Sequence, residues 1–455
     1  MRVLAPSLRH ALVVPLLFQT ALSQNLNQDW VSQYDDAFPF DPGFDIKSVA
    51  SLAVSLPSHS WEFGTASEAL LELYTPSFSV FGDDPFPSVH QEVSTNNVPS
   101  LAYADSKITL GTGANVLSDG DGATGDPASL GVSAVLLGRT DRTYSDAAKS
   151  TMEYLINSAP RYANGAISQR AAVAELWADF MYMAPPFLAY YAVSTSNFSL
   201  LLETVRQCGL YREVLQLGSS IPPASTASDR LPAIYGLWRH IVGPQLPDPG
   251  LWSTGNAWSA AGMTRVLATV MKAPRSLFRT NSDTTLSVDS SDKSQTNIRT
   301  TAIDLLTTYI KEILDGVIDA PLDNGLLRNY LNDTSGSGHG FGEISGSTML
   351  ANVVYRMVIL RPDVFLTQSA AVVNTTTNGH PRSKYLEWAE GIRHTIGSGD
   401  HVSKNGTVAP AVNPLDWGST VPYTAGSPEG QNFAVLMYAA WRDCVLEGVC
   451  RGDSN

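Results

Sequence analysis

The chain has 455 residues, a formal net charge of −14, only 29 Lys and Arg together, and three cysteines. So few cations argue against binding nucleic acid, which relies on clustered positive charge to displace counterions from the phosphate backbone. Three cysteines exclude a disulfide scaffold, so stability has to come from a large apolar core.

At the start, Arg2 and Arg9 precede an apolar stretch from Ala11 to Leu17, and Ala21-Leu22-Ser23 supplies small residues for cleavage. Residues 1–24 therefore read as a secretory signal peptide and residues 25–455 as a single domain. No later apolar run is long enough to cross a bilayer, so a secreted, extracellular monomer with no membrane partner is expected. Four acceptor sequons, at Asn197, Asn332, Asn374 and Asn405, agree with export and glycosylation. Cys444 and Cys450 enclose a short loop and are expected to pair on that route, leaving Cys208 as a buried apolar thiol.

Helical periodicity dominates and strand alternation is scarce. A loop rich in Ser, Asp and Gly over 111–125 leads to Asp126-Pro127, a pattern that suits a helix cap followed by a first-turn proline. An apolar segment from Leu130 to Leu137 and the stripe Tyr144, Ala148, Met152 and Leu155 predict two helices. Glu175 to Tyr191 is the most apolar and aromatic run of the chain, and Asp179 lies inside it. Burial there would favour a protonated carboxyl, the state a general acid needs. The same residue could equally cap a helix.

Further on, Ile303, Leu306, Ile310, Ile313 and Leu314 predict a helix that Gly316 closes, and Met349 to Leu360 one that Pro362 stops. Phe433, Leu436, Met437, Ala440, Trp441 and Cys444 mark one face of an amphipathic helix, with Ser427-Pro428 as cap and first turn. Polar loops are expected over 281–297 and 374–382. No strict repeat recurs, and about a dozen helices point to a large bundle or a closed double ring.

Three groups of residues choose between those two. Trp177-Ala-Asp179-Phe-Met-Tyr-Met183-Ala-Pro-Pro-Phe187-Leu-Ala resembles the Trp-x-Asp-x-x-x-Met-x-x-Pro-Phe-Leu-Ala segment of the unsaturated glucuronyl and rhamnogalacturonyl hydrolases, glycoside hydrolase families 88 and 105. Gly236-Leu-Trp-Arg-His240 and Trp252-Ser-Thr-Gly-Asn256-Ala-Trp258 resemble a second pair of their motifs, and Glu343-Ile-Ser-Gly-Ser-Thr-Met349 and Ser427-Pro-Glu-Gly-Gln431 resemble later helix starts. The resemblance covers residues 120–445 and implies an all-α (α/α)6 barrel of the six-hairpin glycosidase kind.

It further implies an exo-acting hydrolase whose partner is an oligosaccharide carrying a terminal unsaturated uronic acid; no cofactor or metal is expected, since Ala123 and Leu130 stand where a calcium loop starting at Asp119 would need ligands. Asp179 matches the catalytic aspartate and Asp126 a second acidic position. His240, Trp252, Asn256 and Trp258 match pocket positions, and Arg170 is a candidate for holding a uronate. Thr254 stands where those families usually carry Arg, and Gln169-Arg170 where they commonly carry His-Lys. A two-carboxylate hydrolase of a saturated glycoside, or a barrel that binds carbohydrate without cleaving it, are the alternatives.

On their own chemistry these residues keep plainer readings. His240 could be a hydrogen-bonded core histidine and the two tryptophans ordinary core. Glu343 and Glu429 read as carboxylates at helix N-termini, stabilised there by the dipole.

Overall fold

The computed structural model describes residues 30–88, 91, 93–217, 235–278, 291–335, 338–366 and 383–452. The expected signal segment, Asn374 and the loop over 374–382 lie outside the described residues.

The helices fall into six successive hairpins. They are α1 (Ile46–Ser55) with α2 (Ser60–Tyr74), α3 (Pro99–Lys107) with α4 (Gly131–Leu137), and α5 (Arg142–Asn157) with α6 (Phe180–Met183) and α7 (Pro185–Ser194). Then come α8 (Phe198–Leu215) with α9 (Ser253–Lys272), α10 (Ser291–Ile318) with α11 (Ile344–Leu360) and the short α12 (Pro362–Phe365), and α13 (Lys384–Ser398) with α14 (Pro428–Leu446). The second member of each pair packs on its neighbours in sequence around a circle. α2 meets the 3-10 turn Asp126–Leu130 that leads into α4, α4 meets α7, α7 meets α9, α9 meets α11, α11 meets α14, and α14 returns to α2. This closed inner ring inside an outer layer is the (α/α)6 barrel.

Burial separates the two layers. On α5 only Ala147, Ala148, Thr151 and Leu155 are buried, the single stripe of an outer helix. On α14 almost every residue from Glu429 to Arg442 is buried, so the one apolar face read from the sequence is in fact a helix enclosed on all sides. Its start is as expected: Ser427 accepts from the Gly430 amide and Pro428 occupies the first turn.

Three boundaries differ from expectation. Gly316 does not close α10, which runs on to Ile318; a Cβ at Gly316 would stand 2.6 Å from the Tyr235 carbonyl oxygen, so the glycine serves close packing instead. The same helix begins at Ser291, inside the segment expected as a loop. At Asp126 the cap is Gly125, and Asp126 is the first residue of the turn.

Close approach also matters at Gly262 on α9, where a Cβ would come within 2.0 Å of the Met181 carbonyl oxygen on α6. Deep in the ring, buried charges are paired. Arg265 reaches Glu68 at 2.6 Å, and Arg356 bridges Glu72 and Asp443, each at 2.6 Å. Cys444 and Cys450 are joined in a disulfide and Cys208 is a free buried thiol. No described helix is long and apolar enough to cross a membrane.

Candidate active site

The inner helices begin at the same end of the ring, and their first turns carry the acidic side chains. Asp126 opens the turn before α4, Asp179 immediately precedes α6, Glu343 precedes α11, and Glu429 lies in the first turn of α14. Helix N-termini present partial positive charge, which makes this end suited to collecting carboxylates.

Short backbone pairings fix the two central acids. β1 (Leu176–Trp177) runs antiparallel to β2 (Ile241–Val242), and the Ala178 amide donates to the His240 carbonyl at 2.9 Å. Asp179 and His240 are thereby set side by side. Thr124 donates its amide to the Gln169 carbonyl at 2.8 Å, and Ala171 to that of Gly122 at 2.9 Å. That second patch holds Gln169 where its side-chain amide donates to Asp126 Oδ1 at 2.7 Å.

Neither acid is spent on capping. The Asp179 side chain makes no cap hydrogen bond, and its Oδ2 lies 3.3 Å from His240 Nε2. Its neighbours are buried, but the side chain itself keeps 15 % exposure at the mouth of the ring, so the burial expected from the apolar run is incomplete. Asp126 makes no cap bond either. Burial raises its pKa to about 7, the Gln169 hydrogen bond lowers it in part, and the nearby charge of Asp179 raises it again. A carboxyl that keeps its proton to neutral pH is therefore present at Asp126.

His240 is enclosed between carboxylates. Its Nδ1 lies 2.9 Å from Asp248 Oδ2, which also accepts from the Tyr330 hydroxyl at 2.6 Å. Burial opposes a charged imidazole, but Asp179 and then Asp248 outweigh it and hold His240 above its ordinary value. Asp248, although partly desolvated, is drawn down to about 2 by its hydrogen bonds from His240 and Tyr330. Around the imidazole stand Trp252 at 4.4 Å, Trp417 at 5.3 Å and Trp177 at 5.8 Å between ring centroids.

The remaining candidates divide. Arg170 sits at the rim with its guanidinium 5.9 Å from the centre of the Trp177 ring, donates to the Asp121 carbonyl at 2.9 Å, and leaves Nε unpartnered among the described residues. Trp252 backs His240 and donates to Asn329 Oδ1 at 2.8 Å. Asn256 and Trp258 do not reach the opening, which corrects their expected part in a sugar pocket. The Asn256 amide is occupied by the main chain of Trp238 and Trp252, and Trp258 is wholly buried against Tyr182 and Phe433. Trp177 and Trp417, both half-buried, are the indoles nearer the opening.

Glu343 caps α11 as a helix-terminal carboxylate would, accepting from the Ser345 and Gly346 amides, each at 2.6 Å, and from the Ser253 hydroxyl at 2.7 Å. Thr254 is fully buried, with its hydroxyl 3.4 Å from the same carboxyl. Glu429 behaves differently: it accepts from Trp61 Nε1 at 3.1 Å while its Oε2 is buried without a partner among the described residues. Burial, and then the charge of Asp179, push its pKa well above the usual range.

Sequence reasoning missed Asp248, Tyr330 and Trp417. Asp248 belongs to Leu246-Pro-Asp-Pro-Gly250, which reads as an ordinary turn, and no spacing signals that it folds back on His240. Asn197, Asn332 and Asn405 are exposed. No group of three or more metal-ligating side chains occurs among the described residues. A surface cleft of about 370 Å³, lined by Asp304, Lys311, Asp315 and Arg361 among others, lies on the outer layer away from these acids.

Comparison with known proteins bears on the fold. The model of Glycosyl Hydrolase Family 88 matches residues 136–338, a span that holds Asp179, His240 and Trp252 but neither Asp126 nor Glu429. No curated protein matches the sequence. Among solved structures, a possible member of family 105 from Salmonella enterica superposes with a TM-score of 0.57 at 15% identity, over 96% of this chain and 98% of that one. A possible family 105 member from Klebsiella pneumoniae gives 0.57 at 16% identity, over 97% and 98%. A glycosyl hydrolase of family 88 from Bacteroides vulgatus gives 0.53 at 12%, over 92% and 98%. At such identities these likenesses speak for the fold. The chain thus has the six-hairpin glycosidase fold and, over residues 136–338, is similar to the glycosyl hydrolases of family 88.

Proposed function

We propose that the protein is a secreted, exo-acting hydrolase that removes a terminal unsaturated uronic acid from oligosaccharides released from pectin or rhamnogalacturonan. One observation carries the reading: Asp126 and Asp179 face the mouth of the ring without capping any helix, and Asp126 keeps its proton to about pH 7. Asp179 delivers a proton to C4 of the C4=C5 double bond, and water adds at C5 and gives up its proton to the carboxylate. The resulting hemiketal opens and the sugar leaves with its own oxygen. Asp126 stays protonated through the cycle and hydrogen-bonds the sugar or the water. Arg170, whose guanidinium lies over the Trp177 ring beside the site, pairs with the uronate carboxylate.

The test is incubation with lyase-digested pectin, rhamnogalacturonan and arabinogalactan fragments, followed by mass and by absorbance of the conjugated double bond. Loss of that absorbance with release of the shortened oligosaccharide is the expected result. Cleavage that leaves the absorbance unchanged would replace this reading with ordinary two-carboxylate hydrolysis of a saturated glycoside. A specific observation favours that second reading: Thr254 is buried against Glu343, so its position offers no guanidinium to a uronate.

A further inference from the structure

Behind Asp179 and the motif-matched His240, the site contains two side chains, Asp248 and Tyr330, that neither the motifs nor the proposed reaction assigns. The row runs from Asp179 Oδ2 across 3.3 Å to His240 Nε2, from Nδ1 across 2.9 Å to Asp248 Oδ2, and on to the Tyr330 hydroxyl at 2.6 Å. Asp248 is itself held, since its Oδ1 accepts from the Gly250 amide at 2.9 Å. Its backbone is paired with Ile241 in both directions, at 2.8 and 3.1 Å, which ties the turn to β2 beside His240.

We infer that Asp248 is a positioning residue that keeps a proton on His240 Nδ1, so that Nε2 becomes the atom with which Asp179 exchanges the proton it moves. This rests on the reading of Asp179 as proton donor. An imidazole between two carboxylates has one way to satisfy both, with the better hydrogen-bonded carboxylate fixing the tautomer. Asp248 is that carboxylate, because its two oxygens together take three hydrogen bonds, while Asp179 Oδ2 lies 3.3 Å from Nε2 and makes no hydrogen bond among the described residues. The proton between Asp179 and Nε2 then belongs to the pair. When that one proton has gone to C4, the pair holds none, and the proton lost by the attacking water replaces it, on Asp179 or on Nε2.

The groups that face this imidazole are Asp179 before α6, Asp248 after β2 and, through it, Tyr330. The indoles of Trp177, Trp252 and Trp417 fill the remaining sides, and Arg170 lies over Trp177. Raised basicity of His240 agrees with the two carboxylates outweighing burial.

The experiment follows the His240 ring by NMR titration in the full-length protein without substrate, with His240→Gln to assign the signal, alongside kcat and KM. Asp248→Asn removes the charge and should lower the His240 midpoint by about one pH unit. Tyr330→Phe leaves Asp248 with one donor fewer, makes it more basic, and should move the midpoint upward. On an active enzyme, Asp248→Asn should lower kcat at least tenfold with KM within twofold, and the His240-dependent limb of the pH profile should move with the NMR value. Shifts of opposite sign in the two variants, followed by kcat, support the assignment, and Tyr330→Phe decides the sign if Asp248→Asn does not fold. An unchanged midpoint, or a shifted midpoint with unchanged kcat, overturns it. Inactivity of the unaltered protein on unsaturated uronides would count against the proposed function alone, because the NMR arm requires no turnover.

Discussion

The side-chain amide of Gln169 donates to Asp126 at 2.7 Å, and it is the hydrogen bond that most favours the charged form of a carboxyl otherwise enclosed. Where families 88 and 105 commonly carry a histidine, this chain thus has a neutral donor. Gln169→Leu removes the largest opposition to burial, leaving the weaker pull of Arg170, and should raise the Asp126 pKa further above about 7. The limb of the kcat/KM profile that reports loss of the Asp126 proton should move to higher pH. A profile identical to that of the unaltered enzyme would show that Asp126 does not titrate in the rate.

Asp126 also sets a pH dependence of stability. Its pKa in the folded chain is raised, from 3.8 to about 7, so the folded form keeps a proton that the unfolded chain releases. The contribution to stability is fully present below the unfolded value and is lost as pH rises through the folded one. Asp126→Asn should therefore gain on the unaltered protein between pH 4 and 7. The gain should reach on the order of 1–2 kcal/mol once the residual accessibility of the residue is allowed for. Urea titrations at the two pH values measure it.

Asp179→Asn keeps the shape of the side chain and removes its proton. Because Asp179 caps no helix, the melting temperature should stay within a few degrees of the original. Turnover on the preferred oligosaccharide should fall about 10²–10⁴-fold. Retention of full turnover would remove Asp179 from the reaction.

Arg356 lies between Glu72 and Asp443 in the interior of the ring. Arg356→Ala strands Glu72, only 1% exposed, without its cation, and should cost about 3–5 kcal/mol by chemical denaturation.

Gly262→Ala pushes a methyl group into the Met181 carbonyl, a main-chain atom that a rotamer change cannot relieve. α9 and the α6 segment behind Asp179 must separate. A loss of about 1–3 kcal/mol is expected, together with a fall in kcat.

Much of this architecture is legible in the chain because periodicity and motif act over short distances. The starts of α11 and α14 and the stop at Pro362 follow from local capping chemistry, and the run around Asp179 announces a buried element. What periodicity could not separate is a helix with one buried stripe from one buried all round, since polar side chains such as Asn432 and Arg442 donate to main-chain partners hundreds of residues away. The same limit applied at the site. Asp179 and His240 lie inside recognisable motifs, yet Asp248 and Trp417 come from turns whose composition reports only that the chain reverses. Trp258 has the right spacing for a sugar platform, and its place on the inward side of α9 gives it to the core instead.

Ring closure joins the two ends of the chain. Glu429 belongs to the last inner helix and Trp61, its hydrogen-bond donor, to the first, and α14 completes the circle by packing on α2. Contacts of that sequence separation carry a high entropic cost of loop closure and are gained late in folding. The acids on α4, α6 and α11 can gather before α14 arrives, but their shelter from water is finished only then. Proteolytic removal of α14 alone, by a cut between α13 and residue 428, would therefore be expected to leave most of the helices and an open, solvated set of carboxylates, so that activity should vanish well before helical content does.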